Sequence, residues 1–378
     1  MSLPSSLEPR LTPDSFDLAI VGTVGVPARY GGFETLADQL TQRLHRDFRI
    51  LVCCTNDERT GPLPENYLGA TLRYFQWKAN GWQSIPYDVV SLWYAAPRSR
   101  AVLVLGVSGC LLLPLIRLRA PHTRIVTNID GLEWKRRKWG RLARLVLRLS
   151  EWSAVRFSHA VVADNLAIQE HVRRSYGRPS RLIHYGGDHF HRSTTTTASF
   201  PLRFDGGTYV LGVCRIEPEN NVREILLAFQ ALPQCPLVMV GNWAISAYAE
   251  GLRSEFGKLP NIELLDPIYE EQVLDDLRRN AKAYVHGHSA GGTNPSLVEA
   301  MTAGMPVMAF DVDYNRHTTD GQAMYWSDPE ALIKLVVSAE PTQLAGNAAA
   351  MTNIAARRYR WATVSQQYRD ILFPTNVG

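Results

Sequence analysis

The chain has 378 residues, 46% of them hydrophobic and 20% charged, which fits two packed domains of roughly 200 residues or fewer and excludes a disordered chain. Its five cysteines are odd in number and mostly set in apolar runs, so reduced core thiols and a cytoplasmic setting are expected. Net charge is +4, but residues 98–181 hold 17 Lys and Arg against 5 Asp and Glu, and no nucleic-acid recognition motif accompanies that basic stretch, so nucleic acid is not an expected partner.

Residues 1–14 lack a basic stretch leading into an apolar core, so they read as a loose tail without a secretory signal. Residues 16–21 read as a buried strand, 22–32 as a glycine-rich loop, and 33–44 as a helix with Phe33, Leu36, Ala37, Leu40 and Leu44 on one face. Apolar strands are expected at 49–53, 101–105, 124–127, 160–163 and 181–184, with helical patterns between most of them. Such alternation predicts a parallel sheet covered by helices. Residues 101–118 are apolar, but Gly106, Ser108, Gly109, Pro114 and Arg117 interrupt them, and a spanning helix needs about 20 apolar residues. A buried strand, a glycine turn and a partly buried helix are expected there instead.

The basic run Lys135-Arg136-Arg137-Lys138, with Arg141, Arg144 and Arg148, continues into a helix whose Leu142, Leu145, Val146, Leu149 and Trp152 share another face. Such a helix can lie against an anionic membrane surface, or it can be an ordinary solvated face. Residues 191–207, with four consecutive threonines, Pro201 and Gly206-Gly207, read as a linker. The pattern then restarts with strands at 209–214, 237–240, 262–265, 283–286 and 306–309 and helices at 222–232, 273–279 and 295–303. This is a second doubly wound domain, and ligands in such sheets sit beyond the carboxyl ends of the strands.

The strongest chemical signal lies at 286–301. Asn294 suits an N-cap and Pro295 the first helical position, while Gly291 and Gly292 let a ligand approach the backbone. The helix N-terminus at 292–296, including Thr293 and Ser296, then favours an anion such as a diphosphate. Glu299, just over one turn into the helix, can accept hydrogen bonds from sugar hydroxyls; the plainer alternative is a capped helix with an exposed Glu. Arg215 supplies a guanidinium for a departing nucleoside diphosphate. Asp130 and Glu133 follow the 124–127 strand, and either could orient or deprotonate an acceptor hydroxyl, although Asp130-Gly131 also suits a plain turn. His184, His189 and His191, and likewise His286 and His288, lack a matching carboxylate or cysteine spacing, so no metal site is expected. A nicotinamide oxidoreductase is disfavoured, because Gly22-Thr23-Val24-Gly25 lacks the dinucleotide spacing and the second strand ends in Cys53-Cys54-Thr55 where an acid would be needed.

Residues 291–306 resemble the donor motif of the retaining GT-B glycosyltransferases of family 4. Gly31-Gly32-Phe33-Glu34 resembles that family's N-domain glycine loop, residues 214–221 its phosphate-binding arginine loop, and residues 360–368 its last helix. Closer still, residues 21–35, 128–139 and 291–299 resemble a bacterial subgroup of polysaccharide rhamnosyltransferases. The resemblance implies an α/β GT-B fold of two Rossmann-like doubly wound domains facing across a cleft. An acceptor-binding domain would occupy 15–190, a nucleotide-sugar-binding domain 208–355, and a helix at 356–378 would cross back.

It further implies a donor set of Arg215, Asn220, Asn221, Gly291, Gly292, Thr293, Asn294, Ser296 and Glu299. Gly31, Gly32, Glu34, Asp130, Glu133 and His184 would form the acceptor side, with Asp130, Arg215 and Glu299 nearest the chemistry. The implied reaction moves L-rhamnose from dTDP-rhamnose onto a saccharide or lipid-linked oligosaccharide with retention, without metal or other cofactor, in the cytoplasm or on the inner face of the plasma membrane. Two positions depart from the family pattern: the first Glu of its donor motif falls on Gly291, and the basic residue after the arginine loop falls on Asn220. Those contacts must come from backbone or other residues. A nucleotide-sugar epimerase or a non-catalytic nucleotide-sugar-binding protein is the alternative on the same architecture.

Overall fold

The computed structural model describes residues 15–28, 31–56, 63–79, 81–129, 131, 134, 140–189, 202–204 and 209–375. The expected tail at 1–14 lies outside them, as does the expected linker at 191–207 apart from 202–204. By its contacts the chain divides into two compact units, one of residues 1–128, 146–161 and 369–378, the other of 129–145 and 162–368.

The first half runs β1 (Phe16–Val21), α1 (Gly32–Leu44), β2 (Ile50–Thr55), β3 (Asn66–Tyr67), β4 (Ala70–Phe75), α2 (Ser84–Ala95), β5 (Ser99–Leu105), α3 (Leu113–Arg119), β6 (Arg124–Ile129), α4 (Arg141–Phe157), β7 (Ala160–Ala163), α5 (Leu166–Tyr176) and β8 (Arg181–Leu182). Its eight strands are ordered β3-β4-β2-β1-β5-β6-β7-β8. β1 lies parallel to both β2 and β5, with Leu18 opposite Ile50 on one side and Ala101 on the other. All of β2 is buried, as a parallel strand covered on both faces requires. The strand expected at 181–184 stops at Leu182. The 101–118 stretch forms a buried strand, a turn at Gly106 and the half-exposed α3, as its punctuation predicts. Gly22 is required by closeness: a Cβ there would fall 2.1 Å from the Leu105 carbonyl oxygen.

The second half runs β9 (Tyr209–Val213), α6 (Val222–Gln230), β10 (Leu237–Val240), α7 (Ala247–Phe256), β11 (Ile262–Leu265), α8 (Glu271–Asn280), β12 (Ala281–His286), α9 (Pro295–Thr302), β13 (Val307–Phe310), α10 (Asp313–Thr318), β14 (Met324–Trp326), α11 (Pro329–Ser338), α12 (Pro341–Arg358) and α13 (Trp361–Leu372). Its six-stranded parallel sheet is ordered β11-β10-β9-β12-β13-β14. Successive strand residues point to opposite faces, so one core takes Val210, Leu237, Met239 and Val285 while the other takes Leu211, Val238, Val240 and Tyr284. β9 has β10 on one side and β12 on the other, so the strand order reverses between β9 and β12 and opens a crevice at their carboxyl ends.

α4 buries Leu147, Ala154 and Val155 together with Ser150, Glu151 and Ser153, whereas Leu142, Leu145, Leu149 and Trp152 stand exposed, Leu142 at 76%. Leu115 and Leu118 of α3 and Trp93 of α2 are exposed as well. Among the described residues no helix is long and apolar enough to cross a membrane.

Candidate donor site at the β9–β12 crevice

Two loops flank the crevice, and hydrogen bonds from Asn221 and Ser289 tie them together. Asn220 donates from Nδ2 to the Arg215 carbonyl at 2.7 Å, closing the loop after β9 on itself. Asn221 adopts the left-handed conformation with φ 48° and donates to the Gly287 carbonyl at 2.9 Å. Ser289 answers with its amide and its hydroxyl, both donating to the Glu219 carbonyl at 2.9 and 2.8 Å. Gly287 permits this contact, since a Cβ there would lie 2.2 Å from the Asn220 oxygen. The two asparagine amides are thus spent within the protein. Arg215 keeps its guanidinium at the rim, 41% exposed, with Glu217 at 3.9 Å.

The turn into α9 forms as its residue types predict. Asn294 caps the helix, its Oδ1 accepting from the Ser296 amide at 3.1 Å and the Ser296 hydroxyl at 2.8 Å, with Pro295 in the first turn. Tyr284 donates to the same Ser296 hydroxyl at 2.9 Å. Replacing such a cap by Ala costs helices about 1 kcal/mol. Gly291 has φ +127°, a region open to glycine.

Asp164 lies just past β7, buried, and its carboxylate meets this turn. Its Oδ2 accepts from the Thr293 amide at 3.1 Å, its carbonyl accepts from the Thr293 hydroxyl at 2.7 Å, and a Cβ on Gly292 would fall 2.1 Å from Oδ1. So a side chain already occupies one of the amides that the sequence offers to an anion. His184 sits beside it, with Nδ1 2.7 Å from the same Asp164 carbonyl. A carbonyl only accepts, so the His184 proton stands on Nδ1, and burial holds this imidazole below its ordinary pKa.

Glu299 is neither exposed nor idle. Its Oε2 takes a charged hydrogen bond from Arg278, and its Oε1 lies 3.4 Å from His189 Nε2. Burial pushes the carboxyl pKa up, but Arg278 and His189 outweigh it and the group is held below the usual carboxylate range. His286, at the end of β12, is fully buried, stacks on His288 at 4.4 Å, and is pushed down to about 3 by burial, so it is neutral. Among the described residues no group of three or more His, Cys, Asp or Glu is placed to hold a metal ion.

Of the residues expected to meet an acceptor, Gly31 precedes α1 with φ +148°, and its carbonyl accepts from both the amide and the hydroxyl of Thr35. Gly32 opens α1, and the Glu34 carboxylate folds back toward Gly31 and is buried. Asp130 and Glu133 lie outside the described residues. Gly131 between them is described: a Cβ there would come within 3.3 Å of the Gly291 Cα, which sets the chain after β6 against the donor turn. Sequence reasoning missed Asp164, Arg278 and Trp361, which have no local signal because each acts on a residue far along the chain.

Residues 16–188 match a family model described as a domain of unknown function (DUF1972), and residues 195–338 match Glycosyl transferases group 1. No curated protein matches the chain. In structure it is similar to sucrose-phosphate synthase from Thermosynechococcus elongatus, with TM-score 0.76 and 15% identity over 94% of this chain and 98% of that one. It is also similar to a UDP-forming alpha,alpha-trehalose-phosphate synthase from Burkholderia xenovorans, at TM-score 0.66 and 13% identity over 96% and 100%. A trehalose-6-phosphate synthase described for glycosyl transfer with retention gives TM-score 0.67 and 11% identity over 94% and 98%. At these identities the likeness establishes the fold, which is GT-B. Residues 195–338 are therefore a Glycosyl transferases group 1 domain, carried in a chain of GT-B fold.

Proposed function

We propose that the chain transfers L-rhamnose from dTDP-rhamnose to a saccharide or lipid-linked oligosaccharide, with the anomeric configuration retained and without a metal ion. The observation that carries the reading is the β9–β12 crevice, where Arg215 stands at the rim and the capped start of α9 faces the strand ends. As the bond from the anomeric carbon to the diphosphate oxygen breaks and the acceptor oxygen takes its place, negative charge gathers on the departing dTDP, whose phosphate takes the acceptor's hydroxyl proton. A guanidinium can span two phosphate oxygens and a helix N-terminus adds partial positive charge, so the charge is met without a cation. Glu299, held ionised, receives hydroxyls of the nucleotide.

Retention is supported by the likeness to a trehalose-6-phosphate synthase described in those terms. The choice of rhamnose rests on the resemblance of residues 21–35, 128–139 and 291–299 to polysaccharide rhamnosyltransferases. A lipid-linked acceptor places the work at a membrane, and the exposed leucines and arginines of α4 suit the anionic inner face of the plasma membrane.

The test supplies dTDP-rhamnose or UDP-glucose with an acceptor extract in EDTA, follows release of nucleoside diphosphate, and reads the new linkage by NMR. Release of dTDP with retention, falling about a hundredfold in Arg215→Ala, is expected. Turnover that EDTA abolishes and magnesium restores overturns the metal-free mechanism, and consumption of UDP-glucose alone overturns the rhamnose assignment.

A further inference from the structure

The geometry points to His189 as the residue that aims the Glu299 carboxylate, with Trp361 fixing which ring nitrogen carries the proton. This rests on the reading that Glu299 meets the nucleotide. The indole Nε1–H of Trp361 can only donate, and it lies 3.1 Å from His189 Nδ1. Nδ1 therefore accepts, and the proton of the neutral ring stands on Nε2. That nitrogen is the one 3.4 Å from Glu299 Oε1, so it donates there. The other carboxylate oxygen is taken by Arg278, itself 4% exposed and flanked by Asp275 at 3.7 Å. Each oxygen is thus held by one donor and keeps lone-pair capacity for an incoming hydroxyl.

The strap that carries His189 is fixed in turn. The Trp361 amide donates to Asp188 Oδ1 at 2.7 Å, and the Gly187 amide donates to the Tyr359 carbonyl at 2.8 Å. Residues 186 and 187 must be glycine here, because a Cβ at Gly186 would fall 2.5 Å from the Trp361 ring and one at Gly187 2.8 Å from the Val298 carbonyl oxygen of α9. His189 is therefore placed with little freedom against Glu299. It acts through that carboxylate and is a positioning residue.

Calorimetry of the full chain with dTDP and with 5-methyluridine diphosphate, which differ only at the 2′-hydroxyl, tests this. Removing a hydrogen bond to a charged group should weaken dTDP binding roughly tenfold in His189→Leu. The preference between the two nucleotides should shift with it, and His189→Gln, which keeps an N–H donor, should restore much of both. His189→Leu combined with Glu299→Ala should bind no more weakly than Glu299→Ala alone, because the two act as one unit. Trp361→Phe, which lets the ring proton move to Nδ1, should weaken binding in the same direction and decides the matter should His189→Leu fail to fold. If Glu299→Ala weakens binding while His189→Leu and Trp361→Phe bind both nucleotides as the native chain does, His189 is no positioning residue. If Glu299→Ala itself binds dTDP unchanged, the donor reading of Glu299 falls and takes this inference with it.

Discussion

Gly292 leaves no room for a side chain. A methyl group there would press on the Asp164 carboxylate, whose other oxygen holds the Thr293 amide, so the carboxylate cannot swing away without breaking that bond. Overpacking of this kind costs about 1–3 kcal/mol, and Gly292→Ala should lower the urea midpoint accordingly with an unchanged slope. A native midpoint would mean that Asp164 moves aside freely. The double glycine was legible in the sequence as a place for close approach, but the sequence suggested a ligand as the approaching group. The structure puts a carboxylate from 129 residues away there first. Asn220 and Asn221 show the same limit, since their resemblance to a phosphate loop is local while their partners are set by the fold.

At the scale of elements, the apolar alternation and glycine punctuation located most strands to within a residue or two. β3, β4 and the three-residue β14 have no counterpart among the expected strands: β3 and β4 form an antiparallel hairpin turned by Leu68 and Gly69, both with positive φ, and none of the three carries a long apolar run. The sequence of α4 reads as a basic helix with an apolar face, and only the packing shows that this face looks outward while Leu147, Ala154 and Val155 are buried with Ser150, Glu151 and Ser153. Exposed leucines beside arginines gain from insertion at an anionic interface, and each basic residue near such a surface contributes about 1 kcal/mol. The chain should therefore sediment with vesicles containing anionic lipid and much less with neutral ones, and Leu145→Glu with Leu149→Glu should release it. Equal sedimentation with both kinds of vesicle, or an unaffected double variant, argues against α4 as the lipid-facing element.

For the molecule as a whole, two doubly wound sheets were predictable because helical and strand periodicities are local properties of the chain. So was the reversal of strand order that opens a crevice at the strand ends of the second sheet, since strand order in such sheets follows chain order from a switch point. Saturating dTDP, at a hundred times its dissociation constant, should add about 2.7 kcal/mol to the unit that binds it. Hydrogen exchange should then slow at residues 214–221 and 286–299, and protection confined to the loop before α1 would put the nucleotide in the wrong unit. By itself the sequence determined the two α/β sheets and the capped turn into α9, with Arg215 just past β9 and Glu299 within α9. Only the tertiary structure decided which partners those groups have: Asp164 for Thr293, Arg278 for Glu299, and Trp361 for His189 across 172 residues. The reason is physical. Periodicity and capping act over a few residues, whereas a buried charge or donor must find its partner wherever the packed chain brings one within 3 to 4 Å.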